Sequence, residues 1–527
     1  MNRKNTRFLL ILGNGFDLQC HLRTTYQSFF DSRFKINLVS QIHFYYIKYV
    51  LKQSIDYQKI LYEQRSKAKT FFKNMLYQNH KMVRLVIKAY INKSSDELEA
   101  LKKVSNNNAD LKERLVEIDT EMNEAISKDM LNHWELVALA AFAFIRIDSP
   151  IMWSDVETMI FKIITWVLIN KRKSDQELKK DDDIVDHKYY SVLDVDLDQH
   201  ANKSFVKFFN DYFFERAAIN KTPCECVFQK IIEDLFYDNQ FSSDIIANQM
   251  LDELIDFESS FSNFIVQQTG LNYKTDTKTI NYCKYATELI YNLIYPNQVP
   301  TEKNTTIDIL NFNYTFDIRF KIPLLNIINS KGINWKVNSW NNIHGVACWN
   351  SKEAIKQFSE LFNNDDYVKL PAPIFGVDSH EILKSDKNYD LENDPRSIFT
   401  KSFRLLDNHV NDIRKTSFQE KIDEIIFYGH SLNKADYSYF ESIFDTYDVF
   451  HSNVKIKFYY WRGYDKSENI NEQEKQLRLK KQARKTMSNI FKLLNSYGST
   501  LANEHGENII NKLMLEQRLE ISPSPLI

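Results

Sequence analysis

Apolar positions along this 527-residue chain follow two rhythms. Phe8 to Leu12 is an unbroken apolar run ended by Gly13-Asn14-Gly15, the pattern of a strand buried on both faces and closed by a sharp turn. A helix is predicted after Thr24 or Thr25. From about residue 35 to 300 the spacing is helical and turn residues are scarce. Leu111, Leu115, Ile118, Met122 and Ile126 recur three and four apart, one apolar stripe on a charged helix. With the preceding Tyr57 to Lys103 it predicts a packed hairpin, or a coiled-coil-like arm, turning at 105–110. The stripe reads first as internal packing and also offers a surface for a homo-oligomer. Further helices are predicted at Ser204 to Ala218, Cys226 to Tyr237 and Ser243 to Gln267. The charge-dense stretch 171–186 reads as a solvated loop or linker.

After Pro300 the rhythm changes. Short apolar or β-branched runs recur at Ile307 to Phe312, Trp335 to Ile343, Ala372 to Val377, Glu424 to Tyr428 and Val454 to Trp461, each followed by turn residues and a helical pattern. Strands alternating with helices predict a parallel sheet with helices on both faces. The first strand cannot bury both faces without these later ones. The expected architecture is therefore an α/β, Rossmann-like parallel sheet of about six strands, built from residues 1–34 and 300–527 around a large all-helical insertion, 35–299. Helices at about 472–496 and 507–518 would close it.

Composition sharpens this picture at the glycines. There are only 10 in the chain, well under the usual share of roughly 7%, so each is expected where a side chain would be costly. Gly13, Gly15, Gly345, Gly376 and Gly429 lie in short motifs that end apolar runs, where a parallel sheet places its ligand loops. Charge excludes more than it suggests. The 68 basic and 70 acidic residues nearly cancel, so there is no strong nucleic-acid signal and no general attraction to an anionic membrane, although local patches stay open. Five scattered cysteines fit a reducing cytoplasm better than a disulfide scaffold. Cys224-Glu-Cys226 is a lone CxC, and no metal is expected there. Leu136 to Ile145 is too short to span a membrane, and the apolar run before Gly13 is too short for a signal peptide. The expected location is cytoplasmic.

Four motifs that follow predicted strands carry the candidate chemistry. Gly13-Asn14-Gly15-Phe16-Asp17 permits close approach of a backbone or a phosphate, or makes a plain strand-to-helix turn. It lacks the third glycine of GxGxxG, which disfavours an ordinary oxidoreductase site. Asn313 and Thr315, in the stretch Asn311 to Asp317, offer polar side chains for ribose hydroxyls or a water, or cap the next helix. His344, in Asn342-Ile343-His344-Gly345, is a base suited to neutral pH. Gly429-His430-Ser431, followed by Asp436, repeats the strand-glycine-polar pattern.

In their order, LLILGNGFDLQCHLRTTYQSFF, WSDVE (Trp153 to Glu157), FNYTFD (Phe312 to Asp317), NIHG, PIFGVDS, SIFTKSF and FYGHSLNKADYSYF resemble the AbiH-type bacteriophage abortive-infection family. That resemblance implies anti-phage defence, with a phage-derived trigger. The same order is also similar, more distantly, to the sirtuin-like NAD-binding fold. By that likeness Gly13 and Gly15 match the phosphate-side loop and Asn313 the ribose- or water-positioning asparagine. His344 matches the catalytic histidine, and Gly429 with Ser431 the adenosine-side turn. Thr315 stands where an aspartate is usual, Asn311 where a threonine is, GNG replaces GAG, and the zinc cysteines of protein deacylases are absent.

Three functions follow. The first is cleavage of NAD or a related nucleotide, an NAD glycohydrolase with Asn313 and His344 catalytic. Gly13, Asn14, Gly15, Asp17, Thr315, Gly429, His430 and Ser431 would hold the small-molecule nucleotide. The second is a non-catalytic nucleotide-binding phage sensor. The third is a metal-dependent phosphodiesterase or nuclease using Asp17, Asp317, Asp378 and Asp436.

Overall fold

The central strand is β1 (Thr6–Leu12), and its last five residues are all buried. The computed structural model describes residues 6–33, 132–135, 137–138, 153–177, 232, 236, 241–270, 275–296, 304–362, 370–377, 382, 394–407, 418–432, 436–465, 468–501 and 508–526. After β1 come α1 (Asn14–Gln19), α2 (Tyr26–Arg33), α3 (Trp153–Glu177), α4 (Ser243–Thr269) and α5 (Thr277–Ile294). Then follow β2 (Asn304–Asn311), α6 (Lys321–Ser330), β3 (Asn334–Asn342), α7 (Lys352–Phe362) and α8 (Lys401–Asp407). The chain ends with β4 (Glu424–Tyr428), α9 (Tyr437–Thr446), β5 (Lys455–Tyr460), α10 (Glu472–Thr500), α11 (Ile509–Leu515) and β6 (Leu519–Pro523).

The six strands form one sheet in the order β3-β2-β1-β4-β5-β6, and every neighbouring pair is parallel. This is the doubly wound Rossmann order, which reverses direction between β1 and β4. Alternation along β1 splits its side chains between two cores. Phe8, Leu10 and Leu12 pack with Tyr282, Leu289, Ile290 and Leu293 of α5 and with Leu324 and Ile328 of α6. Leu9 and Ile11 pack on the other face with Phe440 and Phe444 of α9, Leu493, Leu494 and Tyr497 of α10, and Leu513 of α11. Register aligns the carboxyl ends: Leu12 pairs with Asn311 and Tyr428, Asn311 with Asn342, and Tyr428 with Tyr459. The loops that carry the sequence motifs therefore leave one edge.

Two strand assignments need correction. Residues 372–377 make no sheet strand. Pro371 and Pro373 lack the N–H that a ladder needs, and the segment bonds to loops instead, with Ile374 N donating to His344 O at 3.0 Å and Lys401 N to Val377 O at 2.9 Å. The sixth strand is β6, whose LEISP sequence shows little apolar pattern because it lies at an edge, with Lys457 paired to Glu520 at 2.8 Å. The linker predicted at 171–186 is also helical as far as Glu177. The predicted hairpin around 105–126, the helix at 204–218, most of that at 226–237, Cys224, Cys226 and Asp378 lie outside the described residues.

By contacts the chain divides into two compact units, Met1–Thr24 with Glu258–His380 and Lys401–Ile527, and Thr25–Phe257 with Glu381–Thr400. By this division the second half of α4 and all of α5 go with the sheet, one face of which α5 covers. The first unit holds the sheet. Within it Glu258 of α4 forms a buried ion pair with Arg404 of α8 and accepts a 2.6 Å bond from Phe375 N. Burial raises the Glu258 pKa despite the guanidinium. The second unit is mainly helical among the described residues. Its buried Trp134 donates from Nε1 to Met250 O at 3.0 Å, and Arg33 grips Glu135 through two bonds of 2.6 and 2.9 Å.

Leu9→Ala and Leu10→Ala, one in each core, are each expected to destabilise the sheet unit by about 2–5 kcal/mol. Arg7→Ala, which breaks a half-exposed pair with Asp423, should cost about 1 kcal/mol or less. Urea denaturation measures all three, and equal losses would contradict this division of the core.

Candidate functional site

Two loops meet at the reversal point between β1 and β4. Gly13 N donates to Tyr428 O at 2.9 Å, Gly15 N to Gly429 O at 2.8 Å, and Phe16 N to Gly13 O at 2.8 Å. A Cβ on Gly13 would lie 2.5 Å from the His430 Cα, and one on Gly15 would lie 2.7 Å from the Gly429 Cα. Gly429 itself has φ +70° and faces the Phe16 amide. The scarce glycines therefore let two backbones touch. Three amides that the sequence offered to a phosphate are engaged with carbonyls, and α1, which they open, is only six residues long. Asn14 turns its side chain to Thr24, whose hydroxyl donates to Oδ1 at 2.7 Å.

Asparagines hold the neighbouring loop. Asn313 donates from Nδ2 to Gly13 O at 2.9 Å, and its own N–H reaches Asn311 Oδ1 at 3.1 Å. Asn311 Nδ2 bonds Phe316 O at 2.8 Å, and Asn342 Nδ2 bonds Asn313 O at 3.0 Å. Each short amide side chain satisfies backbone groups left over where the ladder ends. His344 leaves the same edge as Asn313, and its imidazole faces Asp436.

That imidazole belongs to a buried charge cluster centred on Asp436. Lys401 Nζ donates to Asp436 Oδ1 at 2.8 Å, His344 Nε2 lies 3.8 Å from the same oxygen, and His430 Nε2 lies 3.3 Å from Oδ2. Leu432 N donates to His430 Nδ1 at 2.9 Å, so that nitrogen accepts and the proton sits on Nε2, facing the carboxylate. Phe312 stands edge-on to both rings, with centroids 5.5 Å from His344 and 4.8 Å from His430. Tyr439 packs against His344 at 5.9 Å. Burial alone would raise the Asp436 pKa, but the Lys401 ammonium and the imidazoles overcome it and hold the carboxyl well below the usual carboxylate range. The turn after His430 is strained, with the buried Leu432 at φ +53°, a conformation costly for a bulky side chain and frequent at functional sites.

A second buried carboxylate has the opposite setting. Asp17 is fully buried and accepts from Thr315 Oγ1 at 2.8 and 2.7 Å and from Tyr282 OH at 2.7 Å. Two hydroxyls cannot offset the desolvation, so its pKa is raised to about 7. Asp17 and Thr315, both expected to hold a nucleotide, thus hold one another. Gly429 and His430 sit in the turn already described, and Ser431 lies exposed with its carbonyl bonded to Asn489 at 3.1 Å.

Lys401 was missed by sequence reasoning, although it lies in SIFTKSF; a lysine amid apolar residues was the available signal. Tyr282 gave none. Of the aspartates weighed as metal ligands, Asp317 is gripped by Arg319 at 2.9 and 2.8 Å. Among the described residues no group of three His, Cys, Asp or Glu side chains is placed to hold a metal ion, and no helix is long and apolar enough to cross a membrane.

Comparison with known proteins names the family. A model described as bacteriophage abortive infection AbiH matches residues 9–460, from β1 to the end of β5. The chain belongs to the AbiH family. No curated protein and no solved structure matches it. The span matched in this AbiH protein includes every residue of the Asp436 cluster, as well as Asp17, Tyr282 and Thr315.

Two outcomes test these environments. Between pH 4 and 7 the folded AbiH protein keeps a proton on Asp17 that the unfolded chain releases, so this group lowers stability as pH rises through that window. The full deficit, about 4 kcal/mol, holds above pH 7. Asp17→Asn should therefore raise the melting temperature at pH 8 relative to the native chain and have little effect at pH 4. An unchanged pH dependence would refute the assignment. Asp436 works in the other direction, its contribution being present at neutral pH and lost as pH falls below the usual carboxylate range. Gly429→Ala should abolish folding, judged by loss of a cooperative melt, since its Cβ has no space.

Proposed function

We propose that this AbiH protein acts in anti-phage abortive infection as a hydrolase of NAD or a related nucleotide, with the Asp436 cluster as its acid–base centre. One observation carries the reading: two imidazoles face a single buried carboxylate at the carboxyl edge of a sheet with the dinucleotide-binding strand order. The reaction breaks the bond between ribose C1′ and the nicotinamide nitrogen, and the bonding electrons leave with nicotinamide. C1′ passes through an oxocarbenium-like centre, as in glycoside hydrolysis. A water adds there, and its proton goes to His344. Asp436 stands beside the imidazole to stabilise the positive charge that develops, and Lys401 and His430 hold Asp436 ionised and in place.

This reading gives the other sequence candidates different tasks. Gly13 and Gly15 are packing residues, since their amides are engaged with carbonyls. Asn313 anchors the loop between β2 and the 3₁₀ turn at Ile318–Phe320 through Gly13 O. It is a positioning residue, with a further contact to the ribose or the attacking water left for its Oδ1. Asp17 supports the loop from below, and its raised pKa keeps it available in a neutral form beside a nucleotide's negative charge. His344, Asp436 and Lys401 are 4%, 7% and 3% exposed, so a substrate reaches them only after a covering group moves. A toxin that is silent before infection requires such closure.

The test is made in infected cells, where the trigger is present. Cells producing the native protein should lose NAD after infection and resist phage. His344→Ala should lower the rate of NAD loss about a hundredfold or more and abolish protection while the purified variant melts normally. Asp17→Asn should be milder. Lys401→Met should shift the pH profile of turnover, because Asp436 loses its strongest cation. NAD loss in lysates should survive EDTA. Full protection by His344→Ala would overturn the proposal.

A further inference from the structure

The longest helix of the sheet unit has an outer face that catalysis does not use. From Lys475 to Lys492, α10 carries seven cationic side chains and no acidic one, in a chain whose charges almost cancel overall. Lys475 and Arg478 are neutralised by Glu472, Glu474 and Glu468, at 2.8 Å each. The other five, Lys480, Lys481, Arg484, Lys485 and Lys492, are all exposed, and no carboxylate among the described residues pairs with them. Helical spacing puts Leu477, Arg484 and Phe491 in one line, seven residues apart, with Lys480 to one side and Lys481, Lys485 and Lys492 to the other. Leu477 and Phe491 are 64% and 41% exposed.

This face is held rigidly. Ile490, Leu493, Leu494 and Tyr497 on the opposite side of α10 are in the core under β5, and Gly463 packs against Arg478 and Gln482. Asn489 ties the helix to the turn that carries His430 through Ser431 O. The five cations thus extend over about 18 Å of helix, repelling one another with no paired carboxylate among the described residues. Such a line of charge complements a polyanion. A bilayer would require a broad apolar face to bury, whereas here single apolar side chains are interleaved with cations. That mixture is what single-stranded nucleic acid engages, phosphates along the cations and a base on an exposed aromatic ring.

We propose that the outer face of α10 binds single-stranded nucleic acid, with Lys480, Lys481, Arg484, Lys485 and Lys492 along the phosphates and Phe491 beneath a base. The site is independent of nucleotide hydrolysis at Asp436. Fluorescence anisotropy of a labelled 20-nucleotide oligouridylate with the full chain, from 50 to 300 mM NaCl, tests it. Four or five neutralised phosphates predict a slope of log affinity against log salt of about −3. The triple variant Lys481→Gln, Arg484→Gln, Lys485→Gln should bind at least tenfold more weakly at 100 mM, with the slope reduced by about 2. Phe491→Ala should weaken binding several-fold with the slope unchanged. All these side chains are exposed, and a matching thermal melt verifies each fold. Absence of salt-dependent binding by the native chain, undiminished binding by the triple variant, or binding to phosphatidylserine vesicles but not to the oligonucleotide would overturn the proposal.

Discussion

The contact between two backbones at the carboxyl edge of the sheet constrains everything around it. Gly15 and Gly429 approach so closely that neither could carry a side chain, and Gly13 is pressed against His430. Because β1 and β4 are adjacent parallel strands, this contact sets where the chain leaves each of them. It directs the β4 turn so that His430 points at Asp436, and it presents Gly13 O to Asn313. Sheet order places a reversal point there, and the glycines let the two backbones meet beside it.

Two buried carboxylates lie near this edge, and their surroundings drive them apart. Asp436 receives an ammonium and two imidazoles and stays ionised. Asp17 receives only hydroxyls and becomes easy to protonate near neutrality. Separation of this kind is how one fold supports distinct acid and base roles at a single pH. The packing that creates it is ordinary, for Tyr282 comes from the helix that covers one face of the sheet, and Phe312 and Phe440 pack against His430, which faces the other carboxylate.

Membership in the AbiH family assigns the chain to phage abortive infection, and the geometry gathers an ammonium, two imidazoles and a carboxylate in one buried cluster. A buried, charge-rich centre is destabilising unless its members are paired. Here Lys401 and Asp436 are paired, with two histidines beside them, which makes the cluster tolerable in the fold.

The sequence by itself determined the sheet class, the strands β1, β2, β3, β4 and β5, and the four motifs that gather on one edge. Unbroken apolar runs ended by glycine specify a buried strand and its stop, and parallel pairing then brings those stops together. It also singled out His344, because imidazole is rare and conspicuous in such a turn. Only the tertiary structure decided that residues 372–377 leave the sheet and that β6 completes it, since prolines remove ladder donors and an edge strand needs no apolar pattern. Only it showed that the glycines serve backbone contact, and that Asp17 meets Tyr282 and Asp436 meets Lys401. Local pattern records burial, not the identity of the neighbour that burial brings, and the charge state of a carboxylate depends on that neighbour.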